Sequence, residues 1–159
     1  MPEMGSWQAR RDVEAALHAT SAPNAVALKR KADRVWRAMA SGAALVSTLG
    51  PTDADLRTKA EAMDATDPRV RWLAAEAPAW KAAGEKTLVF VQHRETLEML
   101  RTALSHRVQL ATGVFHEELT PARRDTEVAR FREADGPSLM VCTECGGEGR
   151  NFEIGRAHV

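Results

Sequence analysis

The chain has 159 residues, 44% of them hydrophobic and 28% charged, which is enough apolar content for a packed core and argues against wholesale disorder. Lys+Arg and Asp+Glu are equal at 22 each, so no global basic field exists and any nucleic-acid contact must come from a local patch. Two cysteines exclude a disulfide framework, and no apolar run is long enough to span a membrane.

The N-terminal residues lack the basic start and apolar core of a signal peptide, so the expected location is cytoplasmic. From Ala25 to Met39, Leu28, Ala32, Val35 and Met39 recur at helical spacing and predict one buried face. Lys29, Arg30, Lys31, Arg34 and Arg37 fall mainly off that face, as a solvated surface or as a phosphate-facing one. Ser41-Gly42 ends or interrupts this helix, and Gly50-Pro51 marks a turn. Asp53 to Ala65 predicts a second helix with Leu56, Ala60 and Met63 on one side. Asp67-Pro68 signals a third helix start, Pro78 should kink or break that helix, and Gly84 should cap it. Trp36, Trp72 and Trp80 are expected to act as packing anchors.

After Gly84 the pattern changes. Thr87–Val91 reads as a buried parallel strand, residues 95–105 as a helix with Leu97, Leu100 and Leu104 inward, and Val108–Phe115 as a second strand. Thr120-Pro121 opens a helix running to about Ala134, with Val128 and Phe131 inward. Ser138–Cys142 is a third strand, and a further one begins near Arg156. The predicted fold class is therefore α/β: a helical N-terminal half (1–84) followed by a partial parallel sheet flanked by helices (85–159). In such sheets the working loops lie at the carboxyl ends of the strands. Those loops are Gln92-His93-Arg94, His116-Glu117-Glu118, and Thr143 to Asn151.

The chemistry of these loops is incomplete by itself. Gly146-Gly147-Glu148-Gly149 suits an anion or a plain tight turn, but no Gly-Lys-Ser/Thr follows it, and its spacing is not that of a dinucleotide loop. Cys142 and Cys145 have C-x-x-C spacing without the second pair that zinc needs. They read as core thiols, with a redox centre as the sharper alternative. Glu117-Glu118 could be an acid pair, although adjacent residues usually diverge. No two histidines stand at metal spacing, and no self-contained catalytic constellation is present.

Three segments taken together carry a resemblance. Lys86–Arg94 with Thr96–Leu100 looks like motif IV of superfamily 2 helicases. Phe115-His116-Glu117 with Thr120, Arg123, Arg124 and Ala129–Arg132 looks like the segment after it. Val141–Phe152, containing Glu-Gly-Arg-Asn-Phe, looks like motif V. The second half thus resembles the C-terminal RecA-like lobe of Swi/Snf-type helicases and translocases, and is most similar to the group called RapA or HepA. The resemblance implies a fragment of a nucleic-acid-dependent ATPase that stops before motif VI. It assigns nucleic-acid backbone contacts to Gln92, His93, Arg94, His116, Thr143 and Glu144, and an ATP-facing side to Gly147, Gly149, Arg150 and Asn151. It further implies ATP and Mg2+ as cofactors of the intact protein only, with no catalytic or metal residue in this chain. Expected partners are duplex DNA or RNA, the N-terminal ATPase lobe and RNA polymerase, with no membrane and no ATP hydrolysis by this chain alone. The competing reading is a stand-alone protein-interaction module without a nucleotide role.

Overall fold

A computed structural model describes residues 7–143 and the backbone of 154–157. The chain divides into two compact units, Met1–Arg71 and Trp72–Val159. The division falls within a helix.

The first unit is helical: α1 (Gln8–His18), α2 (Ala25–Ala40), α3 (Gly42–Val46) and α4 (Ala54–Ala65). Val13, Leu17, Ala38, Leu45, Ala60 and Met63 form its core. Val13 and Leu17 belong to α1, a helix not anticipated from sequence although Ala9, Val13 and Leu17 recur every fourth residue. Ser41 both ends α2 and caps α3, its hydroxyl accepting from Ala44 N at 3.0 Å, so the expected interruption is a capped corner. Asp64 ties α4 to α3 by accepting from Gly42 N at 2.6 Å and Ala43 N at 2.7 Å. Burial raises its pKa against those two hydrogen bonds.

The expected inner face of α2 is rotated. Leu28 is 59% exposed, Met39 is half exposed, and Ala32 also faces solvent. Of the four expected residues only Val35 packs against the core, and it is joined there by Ala38 and by the stems of basic residues. Lys31 Nζ donates to His18 O at 2.9 Å and Thr20 O at 3.1 Å. Arg34 donates to Thr48 O and pairs with Asp53, both at 3.1 Å, and Arg37 donates to Ser47. The loops after α1 and α3 present carbonyls that need donors, and long cationic side chains reach them while burying their methylenes. Hydrophobic periodicity alone misses that competition. The tryptophan expectation is corrected likewise: Trp36 is 51% exposed and Trp72 about half exposed, and only Trp80 is buried, edge-on to Trp72 at 5.7 Å.

Helix α5 (Pro68–Ala82) runs through Pro78, so of the expected kink or break the break does not occur. It ends as Gly84 takes φ 73°, letting Glu85 N reach back to Trp80 O at 2.9 Å.

In the second unit the order is β1 (Lys86–Val91), α6 (Arg94–Val108), β2 (Thr112–Phe115), α7 (Pro121–Arg132), β3 (Leu139–Thr143) and β4 (Ile154–Ala157). The sheet order is β2-β3-β1-β4. β3 pairs in parallel with both β1 and β2, with Val89 opposite Val141 and Val114 opposite Val141 on the other side. β4 lies antiparallel to β1, with Thr87 opposite Arg156. The last strand thus starts two residues before the expected Arg156 and departs from the all-parallel expectation. The step β1 to β2 moves one way across the sheet and β2 to β3 moves back. Right-handed crossovers therefore place α6 and α7 on opposite faces. Phe131 of α7 packs with Met140 and Cys142, backed by Leu88, Phe90 and Phe115. Cys142 is buried inside its strand, as its apolar neighbours imply; Cys145 lies outside the described residues.

Two buried charges fix the frame. Lys86 Nζ, 5.6 Å from the Phe131 ring centroid, donates to Glu133 O at 2.6 Å and Pro137 O at 3.1 Å beyond the end of α7. Glu127 of α7 accepts from Val114 N at 3.3 Å, and so satisfies a donor on β2, the edge strand among the described residues.

Candidate nucleic-acid interface

Because β1, β2 and β3 are parallel, their carboxyl ends meet at one edge of the sheet. Gln92, His93 and Arg94 follow β1. His116, Glu117 and Glu118 follow β2. Thr143 closes β3. Sequence-predicted site residues from three separate segments are thereby brought together. Glu144, Gly147, Gly149, Arg150 and Asn151 lie outside the described residues.

Each position has a local cause. His93 is the extended N-cap of α6 (φ −119°, ψ 141°), so the chain turns from strand to helix there and Arg94 stands in the first helical turn. Gln92, just before it, is exposed. A turn after β2, with Leu119 N donating to His116 O at 3.2 Å, sets Glu117 and Glu118 outward. Thr120 then caps α7, accepting from Arg123 N at 3.2 Å, with Pro121 at the first helical position.

Polar contacts link the three ends. Thr143 Oγ1 donates to Glu117 Oε2 at 2.6 Å, joining β3 to the β2 loop. Arg94 forms an ion pair with Glu118, joining the β1 loop to the same loop. Arg124 Nη2 donates to the Glu117 carbonyl at 2.7 Å, while its guanidinium lies 5.7 Å from the Phe115 ring centroid. The two adjacent glutamates diverge, each to a different partner, so they do not form an acid pair.

The electrostatics follow from these contacts. Thr143's hydrogen bond is the chief cause holding the Glu117 carboxyl below its ordinary pKa, helped by its own backbone N–H and by His116 and Arg94. His116 is 5% exposed, and its Nδ1 has no hydrogen-bond partner among the described residues. Burial first, then Arg94, lowers its pKa, against the opposing pull of Glu117 and Glu98. It therefore stays neutral near pH 7, backing the loop rather than adding charge to it.

The edge thus carries a hydroxyl donor that is 4% exposed, two arginines and a neutral histidine. These can donate hydrogen bonds to anionic oxygens. Arg124, Glu117 and Glu118 were not among the predicted contacts. Arg124's signal was its place four residues beyond the Thr120 cap, which returns it to the Glu117 loop. By contrast, Lys31, Arg34 and Arg37 of the helical unit are engaged within that unit, leaving Lys29 and Arg30 as its exposed α2 cations. No group of residues able to hold a metal ion occurs among the described residues, and no described helix is long and apolar enough to cross a membrane.

Residues 69–157 match the helicase conserved C-terminal domain family. Over 89 residues the chain is 41% identical to the RNA polymerase-associated protein RapA of Yersinia pestis (strain Pestoides F), of Yersinia pseudotuberculosis (serotype O:1b, strain IP 31758) and of Serratia proteamaculans (strain 568). The match covers 55% of this chain but only 9% of each relative's length. The three-segment pattern, the small parallel sheet flanked by helices and this match converge: the chain belongs to the helicase conserved C-terminal domain family.

Proposed function

We propose that the chain supplies part of the nucleic-acid track of a Swi/Snf-type, ATP-driven translocase, and that the track lies along the carboxyl edge of β1, β2 and β3. The observation that carries this reading is the convergence of Arg94, His116 and Thr143, far apart in sequence, on one sheet edge with donors suited to phosphate oxygens. Gln92 and His93 flank Arg94 on the same loop, and Glu144 follows Thr143 in sequence. Such contacts position a backbone without reading bases, which suits a motor that tracks along duplex DNA or RNA.

The nucleotide side of the proposal, Gly147, Gly149, Arg150 and Asn151, rests on sequence resemblance alone, as do ATP and Mg2+ for the longer protein. The 159 residues contain no Gly-Lys-Ser/Thr loop, and by themselves they are proposed not to hydrolyse ATP. The relatives' name supports RNA polymerase as a partner.

The test is fluorescence anisotropy with a labelled duplex and a labelled single strand at low and physiological salt. Wild type should bind weakly and lose affinity with salt. Arg94→Ala and Thr143→Val should each weaken binding several-fold, by about 1 kcal/mol per lost contact. Unchanged affinity in both variants refutes the proposed edge. A second reading, a protein-docking module, is favoured by the exposed Val26, Leu28, Trp36 and Met39 of α2. It gains ground if no binding occurs even at low salt.

A further inference from the structure

The geometry points to an internal acidic latch on this edge: Glu117 and Glu118 occupy the donors of Thr143 and Arg94, and a nucleic-acid phosphate engages them only by displacing those carboxylates. The inference rests on the edge being the nucleic-acid track, and it assigns the two glutamates the role of setting affinity there.

The argument is one of donor supply. A threonine hydroxyl has one proton to donate, and phosphodiester oxygens only accept. Thr143 Oγ1 already donates to Glu117 Oε2 at 2.6 Å, so it cannot at the same time donate to a phosphate. Arg94 has several N–H groups, but the Glu118 carboxylate on its guanidinium fills one side and repels an incoming anion. Glu117 is not a floppy surface acid that happens to touch Thr143. Its carbonyl is held by Arg124 at 2.7 Å, Arg124 lies over Phe115, and the preceding residue, His116, is buried. The backbone is therefore pinned while the carboxylate bridges to β3.

The two acids also work on different partners. Each bridges from the β2 loop to the end of a different strand, so one loop covers the donor on β3 and the one that follows β1. Binding is then an exchange of carboxylate for phosphate, and stray anions meet an edge that is already neutralised. A polyanion that supplies several phosphates at once can displace both acids.

The experiment is a pair of double-mutant cycles read by duplex affinity at fixed salt: Glu117→Gln with Thr143→Val, and Glu118→Gln with Arg94→Ala. Glu98→Gln, a nearby exposed glutamate on α6, controls for simple loss of negative charge. The latch requires Glu117→Gln, which leaves Thr143 an acceptor but takes the charge off it, to tighten binding about threefold, the difference between a charge-assisted and a neutral hydrogen bond. Glu118→Gln should tighten it about threefold, as for an exposed ion pair. Each gain should fall below about twofold once its partner donor is removed, and Glu98→Gln should stay within about twofold of wild type. Gains that persist in full in the Thr143→Val and Arg94→Ala backgrounds overturn the latch, because the acids then act only as bulk repulsion. Absent gains, or weaker binding, overturn it too. If Arg94→Ala, Glu117→Gln and Glu118→Gln all leave affinity unchanged, the edge is not the track, and the latch falls together with that reading.

Discussion

Replacing Lys86 by Met keeps the length of the side chain and removes its charge and donors. Lys86 is 6% exposed, and its ammonium donates to Glu133 O at 2.6 Å and Pro137 O at 3.1 Å, with a third contact to Gly136 O at a marginal 3.4 Å. Glu133 O keeps a second partner in Gly136 N at 3.0 Å, whereas among the described residues the Pro137 carbonyl has the lysine alone. Two sound charge-assisted hydrogen bonds contribute roughly 1.5–3 kcal/mol each. The Phe131 face adds about 0.5–1 kcal/mol. Against this stands relief from keeping a buried ammonium dehydrated, together with the favourable burial of the Met thioether. The net expectation is a loss of about 2–4 kcal/mol. The assay is urea unfolding followed through the amide signals of Val89 and Val141, which report the sheet. The midpoint should fall by about 1 M or more with an unchanged slope. A loss under about 0.5 kcal/mol would refute the reasoning, by showing that water replaces the lysine at those carbonyls.

Three further outcomes follow from the same structure. A methyl group on Gly42 would overlap the Ala60 carbonyl oxygen, so Gly42→Ala should force α3 from α4 and destabilise the helical unit by about 1–3 kcal/mol, seen as earlier thermal loss of the Leu17 and Leu45 amide signals. Glu127→Ala leaves Val114 N–H without its acceptor and should cost about 1–3 kcal/mol, with faster hydrogen exchange at Val114. Burial and Arg94 hold His116 below its ordinary 6.5. Its contribution to stability is therefore complete above 6.5 and is lost as pH falls through the lowered value. His116→Asn should flatten the stability profile over that acid window, and an unchanged profile would contradict the assignment.

The parallel strands were legible because buried β-rich runs such as Thr87–Val91 leave no other assignment between capped helices. The Thr120-Pro121 and Gly84 boundaries were legible because capping chemistry is local. The rotation of α2 was not, since Leu28, Ala32 and Met39 gave a clean periodicity that distant carbonyls overrode by recruiting Lys31 and Arg34. Pro78 was read by its local rule, yet α5 continues across it. The sheet edge could be named from the order of strands and helices alone. The pairing of Thr143 with Glu117 could not, because it joins residues 26 apart in sequence through a register that only the folded sheet defines.

The most direct test of the central claim is amide chemical-shift mapping of the 159-residue chain during titration with a short duplex. The account requires the largest shifts at residues 92–94, 116–118 and Thr143, fading as salt rises. Shifts confined to α2, around Leu28, Trp36 and Met39, with residues 92–94, 116–118 and Thr143 unmoved, would contradict it.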